Sequence, residues 1–580
     1  MKRLLPLTLL LACSNSAPSD SPADTAEPPT VEDVAEDTAS PTPDVPPEVP
    51  EVSDTPDVAA PPEDVVEPPA HCELLGLPES PWSDGPYGTR RHDVAEDFTL
   101  ETVGGGVFNY REAFRGCEGV VVVTDAIPVS DFDKSPFWFA HLEDLLAASP
   151  KNVHYVFVSR LAAAAAEERA NQMFGYIIGA IDPLDAEAKA HWKAHLHVSK
   201  KSAADLGNWL TPVLNSGIGQ LGFGIDPSQH LRGTGSFADV NLYYPQAPEG
   251  AWPWAASLAY LANEPKAWNF GVQRDASFAQ LDKVTVPLWT GEVISEFAER
   301  AVELPEGAFD ALWLEVDQRC PNPDLPEPGN CGAWDYLSWL FVYEGDADAV
   351  VTTGDAPTPR HELARGITTY HREGRWLADV TPMLARLQGP KKRLFRWEWA
   401  PSWNVQPTET RLALHFVRTG AGMRPTQLTP LFAGGGFGSA YNTGREPITV
   451  EVPATAKRVE LVATITGHGA GTQQCAEFCN HVHEFTVDGQ VFKQEHPTVG
   501  DSLGCAKTVD DGTVPNQWGT WWFGRGGWCP GNMVKPLRAD VTALAKDGSV
   551  TVTYRGLLGG ADPPDGAGDI HLSSQIVVWE

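Results

Sequence analysis

Alternating apolar and polar residues constrain the fold of this chain more than any other sequence feature. From Val284 to the C terminus, short alternating segments such as 311–316, 411–417, 458–464 and 549–554 are separated by Gly, Pro and Asn. A period of two is typical of strands with one buried face, and strands divided by turn residues indicate antiparallel sandwiches. The span is too long for one sandwich, so we expect two, with a joint in the turn-rich segment 418–430.

An earlier part of the chain alternates apolar runs with helical segments. Residues 120–124 and 153–158 are predicted strands, a helix is expected over 138–148, and further helices over 161–173 and 186–197. Buried strands linked by a helix imply a parallel pair in an α/β layer. The layout resembles a thioredoxin-like domain, but the stretch that would hold its reactive CxxC, 131–138, has no cysteine. Thiol exchange needs a thiolate, so we expect an accessory domain without redox activity.

The first residues, Met1-Lys2-Arg3 and a leucine-rich run, are typical of a signal peptide. The run ends in Leu10-Leu11-Ala12-Cys13, which resembles the bacterial lipobox, and this implies lipidation of Cys13. Ser14 after the cysteine is compatible with delivery to an outer membrane. We therefore predict an exported, lipid-anchored protein of the outer membrane or cell surface.

Residues 14–70 have the composition of a disordered tether. They contain 14 Pro and 15 acidic residues and no Lys, Arg or aromatic residue, so they cannot build a core. The whole chain has a net charge of −35, which argues against a nucleic-acid partner. The predicted organisation is a signal peptide (1–13), a tether (14–70), a thioredoxin-like domain (71–283) and two sandwiches (284–423 and 424–580).

Lipidation of Cys13 leaves eight cysteines, and exported proteins meet oxidising conditions, so disulfides are expected. Zinc is the alternative, but no CxxC pair occurs. Pairing by proximity gives four bridges, although the sequence leaves the connectivity open: Cys72 with Cys117, Cys320 with Cys331, Cys475 with Cys479, and Cys505 with Cys529.

Four residue groups in the C-terminal half contain candidate catalytic or binding residues. Trp334-Asp335 follows closely on Cys331, and Glu398 lies on a predicted strand between Trp397 and Trp399. The other two groups are Gly467-His468-Gly469 with the bend Cys475-Ala-Glu477-Phe-Cys479, and Trp518, Trp521 and Trp522 with Arg525-Gly-Gly-Trp528-Cys529-Pro-Gly531.

Taken in this order, the four groups resemble the peptide-N-glycosidase F family over roughly residues 284–580. The resemblance implies two eight-stranded jelly rolls after the α/β thioredoxin-like domain, in a monomer that needs no cofactor. It implies an amidase that cleaves the bond between asparagine and N-linked glycans on glycoproteins or glycopeptides. Asp335 falls on the principal catalytic aspartate, and Glu477 and Glu398 on two further acidic residues. We expect Arg525, Trp334, Trp399, Trp528 and His468 to bind substrate.

The chain departs from the family beside these positions. The residue after the aspartate is Tyr336 where the family has arginine, and His468 replaces a tryptophan. A family tryptophan after the strand glutamate corresponds to Ala400, with Trp399 and Trp403 as possible substitutes. These differences predict altered contacts with the glycan.

Two other functions are compatible with the sequence. His481 and His483 lie on one face of a predicted strand, and with His468 they form a candidate copper or zinc site, as in a metal-binding monooxygenase-like protein. The second alternative is a non-catalytic glycan-binding lipoprotein. Retention of all three carboxylates favours the amidase.

Overall fold

The computed structural model describes residues 71–125, 137–139, 141–216, 222–235, 258–354, 356–404, 406–469 and 475–580. The signal peptide, Cys13 and the tether lie outside these residues, as does most of the segment 131–138. Among the residues described, no helix is long and apolar enough to cross a membrane.

The N-terminal part is an α/β layer beside a short hairpin. Its strands are β1 (Thr99–Glu101), β2 (Val107–Asn109), β3 (Gly119–Thr124), β4 (Val153–Val158), β5 (Leu196–Val198), β6 (Gly222–Ile225) and β7 (Leu231–Arg232). Its helices are α1 (His71–Leu74), α2 (Tyr110–Ala113), α3 (Leu142–Ala148), α4 (Ala163–Ile181), α5 (Ala186–His195), α6 (Leu210–Asn215) and α7 (Asn263–Ala279), and short 3₁₀ turns cover Phe137–Phe139 and Leu258–Ala262. The five-stranded sheet has the order β5-β4-β3-β6-β7.

The central strand β3 explains why this layer forms. All six of its residues are buried; Val121 and Val123 enter one core, whereas Val120 and Val122 enter the core on the opposite face. Strands covered on both faces read as continuous apolar runs. β3 pairs in parallel with β4, as expected; β4 also pairs in parallel with β5, while β6 and β7 are antiparallel. The finer thioredoxin-like assignment stays a prediction.

The first sandwich contains eight strands in sequence: β8 (Asp282–Ile294), β9 (Phe297–Glu303), β10 (Ala311–Arg319), β11 (Leu337–Tyr343), β12 (Arg360–Ile367), β13 (Gly374–Asp379), β14 (Lys392–Glu398) and β15 (Thr408–Arg418). One sheet has the order β13-β10-β15-β8, and β12-β11-β14-β9 form the other. Short 3₁₀ turns cover Ala347–Ala349 and Thr381–Leu387. Leu312, Leu314 and Val316 of β10 point into the shared core, at the spacing of two that the sequence predicted.

The second sandwich also has eight strands: β16 (Pro425–Gly436), β17 (Ile448–Glu451), β18 (Arg458–His468), β19 (His481–Val487), β20 (Gln490–Gln494), β22 (Leu537–Asp540), β23 (Ser549–Leu558) and β24 (Asp569–Trp579). Their sheets have the orders β16-β24-β18-β22 and β17-β23-β19-β20. Ala506–Asp511 and Thr542–Leu544 are 3₁₀ turns. β21 (Asn532–Met533) instead pairs with β12 of the first sandwich and so brings the segment before it against that domain.

Several predicted boundaries are wrong. The helix expected over 138–148 begins only at Leu142, and the helix expected over 161–173 continues to Ile181. The joint 418–430 is shorter, because Arg418 ends β15 and β16 already begins at Pro425. The helix expected over 186–197 ends at His195, since Leu196 starts β5 and pairs with β4. Pairing with a neighbouring strand thus overrides the local helical pattern.

Candidate active site

Asp335 is placed by the segment that enters β11. The hydroxyl of Thr368, which is buried, donates to the carbonyl of Trp334 at 2.5 Å and accepts from the amide of Tyr336 at 2.8 Å. The backbone is therefore fixed on both sides of Asp335. The hydroxyl of Tyr370 hydrogen-bonds to the Asp335 carboxyl, whose side chain keeps 19 % of its exposure.

Glu477 lies at the bend closed by the Cys475–Cys479 disulfide. The amide of Phe478 donates to the Cys475 carbonyl at 2.8 Å, and the amide of Glu477 donates to the Gly469 carbonyl at 3.2 Å. The Glu477 carbonyl accepts from the amide of Gly526 at 2.7 Å. The bend is thus tied to the residue that follows Arg525.

The buried guanidinium of Arg525 joins the two carboxyls. Its Nε lies 3.1 Å from Oε1 of Glu477, and its Nη2 lies 3.5 Å from Oδ2 of Asp335. Nη1 donates to the carbonyls of Thr520 at 3.1 Å and Phe523 at 3.0 Å. A planar guanidinium presents its donors in a fixed fork, so this arrangement fixes the distance between the two acids.

Burial and charge act in opposite directions on these acids. Burial raises the pKa of Asp335 above its ordinary value, although the guanidinium of Arg525 and the Tyr370 hydrogen bond oppose the rise. Burial also raises the pKa of Glu477; Arg525 opposes this rise and the charge of Asp335 adds to it. One cation between two partly buried carboxyls favours a state in which one acid is ionised and the other protonated.

The structure does not bring Glu398 into that pair through any contact among the described residues. Glu398 ends β14 opposite Trp339 of β11, and it forms ion pairs with Arg396 and Arg360. Two grooves meet at Glu398 and Trp339. The first, about 690 Å³, continues along Phe341, Arg365, Gly434 and His571, and the second, about 360 Å³, along Phe297, Tyr336, Ala400 and Trp403.

The predicted substrate-binding tryptophans divide by burial. The side chain of Trp334 is 59 % exposed and free to contact a sugar, whereas Trp399 and Trp528 are buried. Trp399 belongs to the core of the first sandwich, and Trp528 packs beneath Arg525 and donates to the Gly467 carbonyl at 2.8 Å. Stacking of a sugar on Trp399 or Trp528 is therefore not compatible with the structure.

Trp403 is the second exposed tryptophan near the site, at 73 % exposure. Its side chain hydrogen-bonds to Tyr336. Sequence reasoning considered Trp403 only as a substitute, and it missed Tyr370 and Thr368 because neither belongs to a motif. Trp397 and Trp399, the neighbours of Glu398 in the sequence, lie in the core of the first sandwich.

A family profile described as "Peptide-N-glycosidase F, C terminal" matches residues 437–577. A curated relative, the peptide-N(4)-(N-acetyl-beta-D-glucosaminyl)asparagine amidase F of Elizabethkingia miricola, is 25 % identical over 284 residues, which cover 46 % of this chain and 72 % of that protein. The C-terminal half of the chain belongs to the peptide-N-glycosidase F family.

Two solved structures are also similar to this half. PNGase F, a glycosylasparaginase from Flavobacterium meningosepticum, has a TM-score of 0.41 and 19 % identity, covering 51 % of this chain and 96 % of that one. PNGF-II has a TM-score of 0.37 and 14 % identity, covering 51 % of this chain and 65 % of that one.

The histidines of this peptide-N-glycosidase F-type half are arranged differently from the predicted set. His496, rather than His468, lies with His481 and His483, so that one donor atom of each is within 4.8 Å of the others. His468 stacks on Trp528 with ring centroids 5.2 Å apart and hydrogen-bonds to Thr466. His481 and His483 are fully buried and bond to each other at 2.7 Å, so they do not face a substrate.

All four disulfides pair as proximity in sequence indicated. They join Cys72 to Cys117, Cys320 to Cys331, Cys475 to Cys479 and Cys505 to Cys529. Three of them border the peptide-N-glycosidase F-type site: one precedes Asp335, one encloses Glu477, and one follows Arg525. The bridges therefore hold the loops that carry the charged groups.

Proposed function

We propose that this protein hydrolyses the side-chain amide that links N-glycans to asparagine, in glycoproteins or glycopeptides. The observation that carries the proposal is the buried Arg525 between Asp335 and Glu477. Relatedness to the asparagine amidase of Elizabethkingia miricola supports the same reaction.

Amide hydrolysis needs a base and an acid. The ionised carboxylate takes a proton from water, whose oxygen forms a bond to the amide carbon of the asparagine. The carbon–nitrogen bond then breaks, and the protonated carboxyl gives its proton to the departing glycosylamine. The asparagine becomes aspartate, and the glycosylamine later loses ammonia. We assign Asp335 to the scissile linkage and Glu477 to the water.

Arg525 has two tasks in this scheme. It stabilises the ionised acid, and its charge lies beside the position where negative charge develops on the tetrahedral intermediate. Because Nη1 donates to two backbone carbonyls and Nη2 also donates to the Thr520 hydroxyl, the guanidinium needs no reorganisation during the reaction. A fixed donor of this kind favours the transition state over the substrate.

Glu398 and the exposed aromatic residues form the proposed glycan-binding region. Glu398, held by Arg396 and Arg360, presents carboxyl oxygens as acceptors for sugar hydroxyls where two grooves meet. Trp334 and Trp403 offer exposed ring faces. Carbohydrate rings stack on such faces through their C–H groups, so we place the first N-acetylglucosamine beside these side chains.

We further propose that the enzyme works at a membrane surface after export. The lipobox-type Cys13 and the Pro-rich acidic segment 14–70 support a lipid anchor with a long reach. Four disulfides are in keeping with an oxidising compartment. Globomycin sensitivity of processing, with loss of lipid labelling in Cys13→Ser, tests this part separately.

The amidase proposal is tested with the purified full chain and an N-glycopeptide, followed by mass spectrometry. We expect glycan release together with conversion of the asparagine to aspartate. Asp335→Asn should abolish release, whereas the exposed Asp84→Asn, whose side chain is 81 % exposed, should not. Binding of the glycopeptide without any release by the wild-type protein would overturn the amidase and favour a glycan-binding protein.

A further inference from the structure

A second cluster of buried polar side chains lies in the N-terminal α/β layer, away from the carboxyl pair. Glu118, His154 and His195 come from three places in the fold: the residue before β3, the strand β4 and the last residue of α5. Each is at most 6 % exposed. One donor atom of each lies within 4.8 Å of the others.

These three residues each leave one buried polar atom without a hydrogen-bond partner among the described residues: Oε2 of Glu118, Nε2 of His154 and Nε2 of His195. A buried polar atom without a partner is unfavourable by about 1–3 kcal/mol, and native structures contain few of them. Three such atoms on neighbouring side chains therefore indicate a ligand that all three share.

On each of the three side chains, the other polar atom already has a hydrogen-bond partner. Nδ1 of His195 bonds to the His191 carbonyl at 2.7 Å, and Nδ1 of His154 bonds to Nε2 of His197 at 3.1 Å. A carbonyl can only accept, so Nδ1 of His195 carries the proton and the lone pair of its Nε2 is free, as outer partners arrange for metal-binding histidines. The His154–His197 bond engages Nδ1 of His154 and likewise leaves its Nε2 for the shared ligand. Oε1 of Glu118 accepts from Nε of Arg115 at 3.0 Å, which leaves Oε2 for the shared ligand.

The types of side chain in this cluster indicate which ligand it binds. His154 and His195 each supply an imidazole nitrogen, which is a common metal ligand, and Glu118 supplies a carboxylate oxygen. Two imidazoles and one carboxylate are a common ligand set for Zn²⁺, with a fourth position for water or another side chain.

His191 lies beside the cluster. It precedes His195 by one helical turn on α5, and the ring centroids of the two are 4.0 Å apart. A separation of four places both on one face of the helix. Nε2 of His191 is buried and also has no hydrogen-bond partner among the described residues, so His191 is a candidate fourth donor.

We infer that Glu118, His154 and His195 bind a zinc-class divalent cation, with His191 at the fourth position. The ion would join α5 to the sheet next to the Cys72–Cys117 disulfide, since Glu118 directly follows Cys117. The site is independent of the amidase proposal.

The test uses untagged full-length protein freed of metal with a chelator. We expect calorimetric titration with Zn²⁺ to show binding, and Zn²⁺ to raise the Tm. Both effects should be lost in His195→Gln and in Glu118→Gln and kept in His141→Gln, whose side chain is 45 % exposed. Because ligand binding to the native state alone raises Tm, the shift reports the site without reference to activity.

One further variant and a folding control complete the test. His483→Gln alters the buried cluster of the second sandwich and should leave the Zn²⁺-dependent Tm shift in place. Circular dichroism of each metal-free variant establishes that it is folded. If His195→Gln does not fold, the comparison is made with Glu118→Gln. Absence of Zn²⁺ binding in the wild type, unchanged binding in folded Glu118→Gln, or loss of binding in His483→Gln alone would overturn the inference.

Discussion

Arg525 contacts Glu477 through Nε and Asp335 through Nη2, at 3.1 Å and 3.5 Å, so two separate nitrogens of one guanidinium hold two acids from different sandwiches. Asp335 enters β11 of the first sandwich, whereas Glu477 and Arg525 lie in the connections around β19 of the second. The catalytic proposal thus depends on a junction that forms only when both sandwiches are folded.

Replacing Arg525 with lysine keeps the positive charge but removes the planar guanidinium, whose separate nitrogens contact Glu477 and Asp335. We expect kcat/KM for an N-glycopeptide to fall by about 10²-fold, as for loss of one fixed donor to a transition state. Arg555→Lys, at a side chain that is 58 % exposed, is the matched control. Equal activity in both variants would show that the charge alone suffices and that the two-nitrogen geometry has no role.

Asp335→Asn should separate stability from activity. Because burial raises the pKa of Asp335, the folded state binds a proton more tightly than the unfolded chain, and stability falls as pH rises from the unfolded to the folded pKa. The neutral amide avoids this loss. We expect Asp335→Asn to be inactive yet to gain Tm relative to wild type at neutral pH, with a smaller gain at acidic pH. A gain that grows on acidification would contradict the pKa direction.

A buried ionic cluster connects the N-terminal layer to the active-site loops. Nη1 of Arg372 lies 2.8 Å from Oε1 of Glu264 on α7, and Nε lies 3.2 Å from Oε2 of Glu327. The same oxygen of Glu264 accepts from Asn516 at 2.7 Å, in the segment that leads to Arg525. The N-terminal layer therefore supports the loop that carries the guanidinium.

Arg372→Met should leave two buried carboxyls without their cation. Removing one partner of a buried pair costs about 3–5 kcal/mol. Burial already raises the pKa of Glu264, and loss of Arg372 raises it further, so the destabilisation should be larger at neutral than at acidic pH.

Chemical unfolding at the two pH values measures this effect, with the exposed Arg111→Met as control. The double variant with Glu264→Gln should recover part of the loss. Destabilisation that does not change with pH would mean that lost packing of the arginine stem, rather than unpaired charge, is responsible.

The sequence predicts most of the β architecture and the local part of the site. Alternation over 311–316 fixes the faces of β10, and the short Cys475–Cys479 loop places Glu477 at a bend. Tyr370 and Glu264 could not be predicted, because their contacts join segments far apart in the chain.

The cluster of Glu118, His154 and His195 could not be predicted from the sequence either, because its residues are also far apart in the chain. The spacing of His191 and His195 on a predicted helix was visible in the sequence, but nothing local connects that helix with Glu118 or His154. Burial of Trp399 and Trp528 was likewise invisible, since tryptophan serves both in cores and in sugar binding.

The Cys475–Cys479 bridge should matter more for activity than for stability. It closes a loop with a separation of 4 residues, for which loop entropy gives about 2 kcal/mol, against about 4 kcal/mol for the 45-residue separation of Cys72 and Cys117. We expect Cys475→Ser with Cys479→Ser to lower kcat/KM strongly with a small loss of Tm.

The matched control is Cys72→Ser with Cys117→Ser, which should lower the Tm more and retain amidase activity below that Tm. Assays and thermal unfolding of both double variants decide the point. If the Cys475/Cys479 variant keeps full activity, the hydrogen bonds of the bend are enough to position Glu477.

The exposed tryptophans should affect substrate binding without affecting the fold. Trp334 and Trp403 are 59 % and 73 % exposed, so truncating either to alanine removes little packing. Loss of one stacked sugar contact of about 1 kcal/mol corresponds to a rise in KM of roughly fivefold. Tyr87→Ala, at an aromatic side chain that is 39 % exposed in the N-terminal layer, should leave KM unchanged.

Trp397→Ala, by contrast, empties a site in the core of the first sandwich and should cost about 3–5 kcal/mol of stability. Steady-state kinetics beside thermal unfolding distinguishes the two classes, and an unchanged KM in both Trp334→Ala and Trp403→Ala would remove these rings from the proposed glycan-binding region.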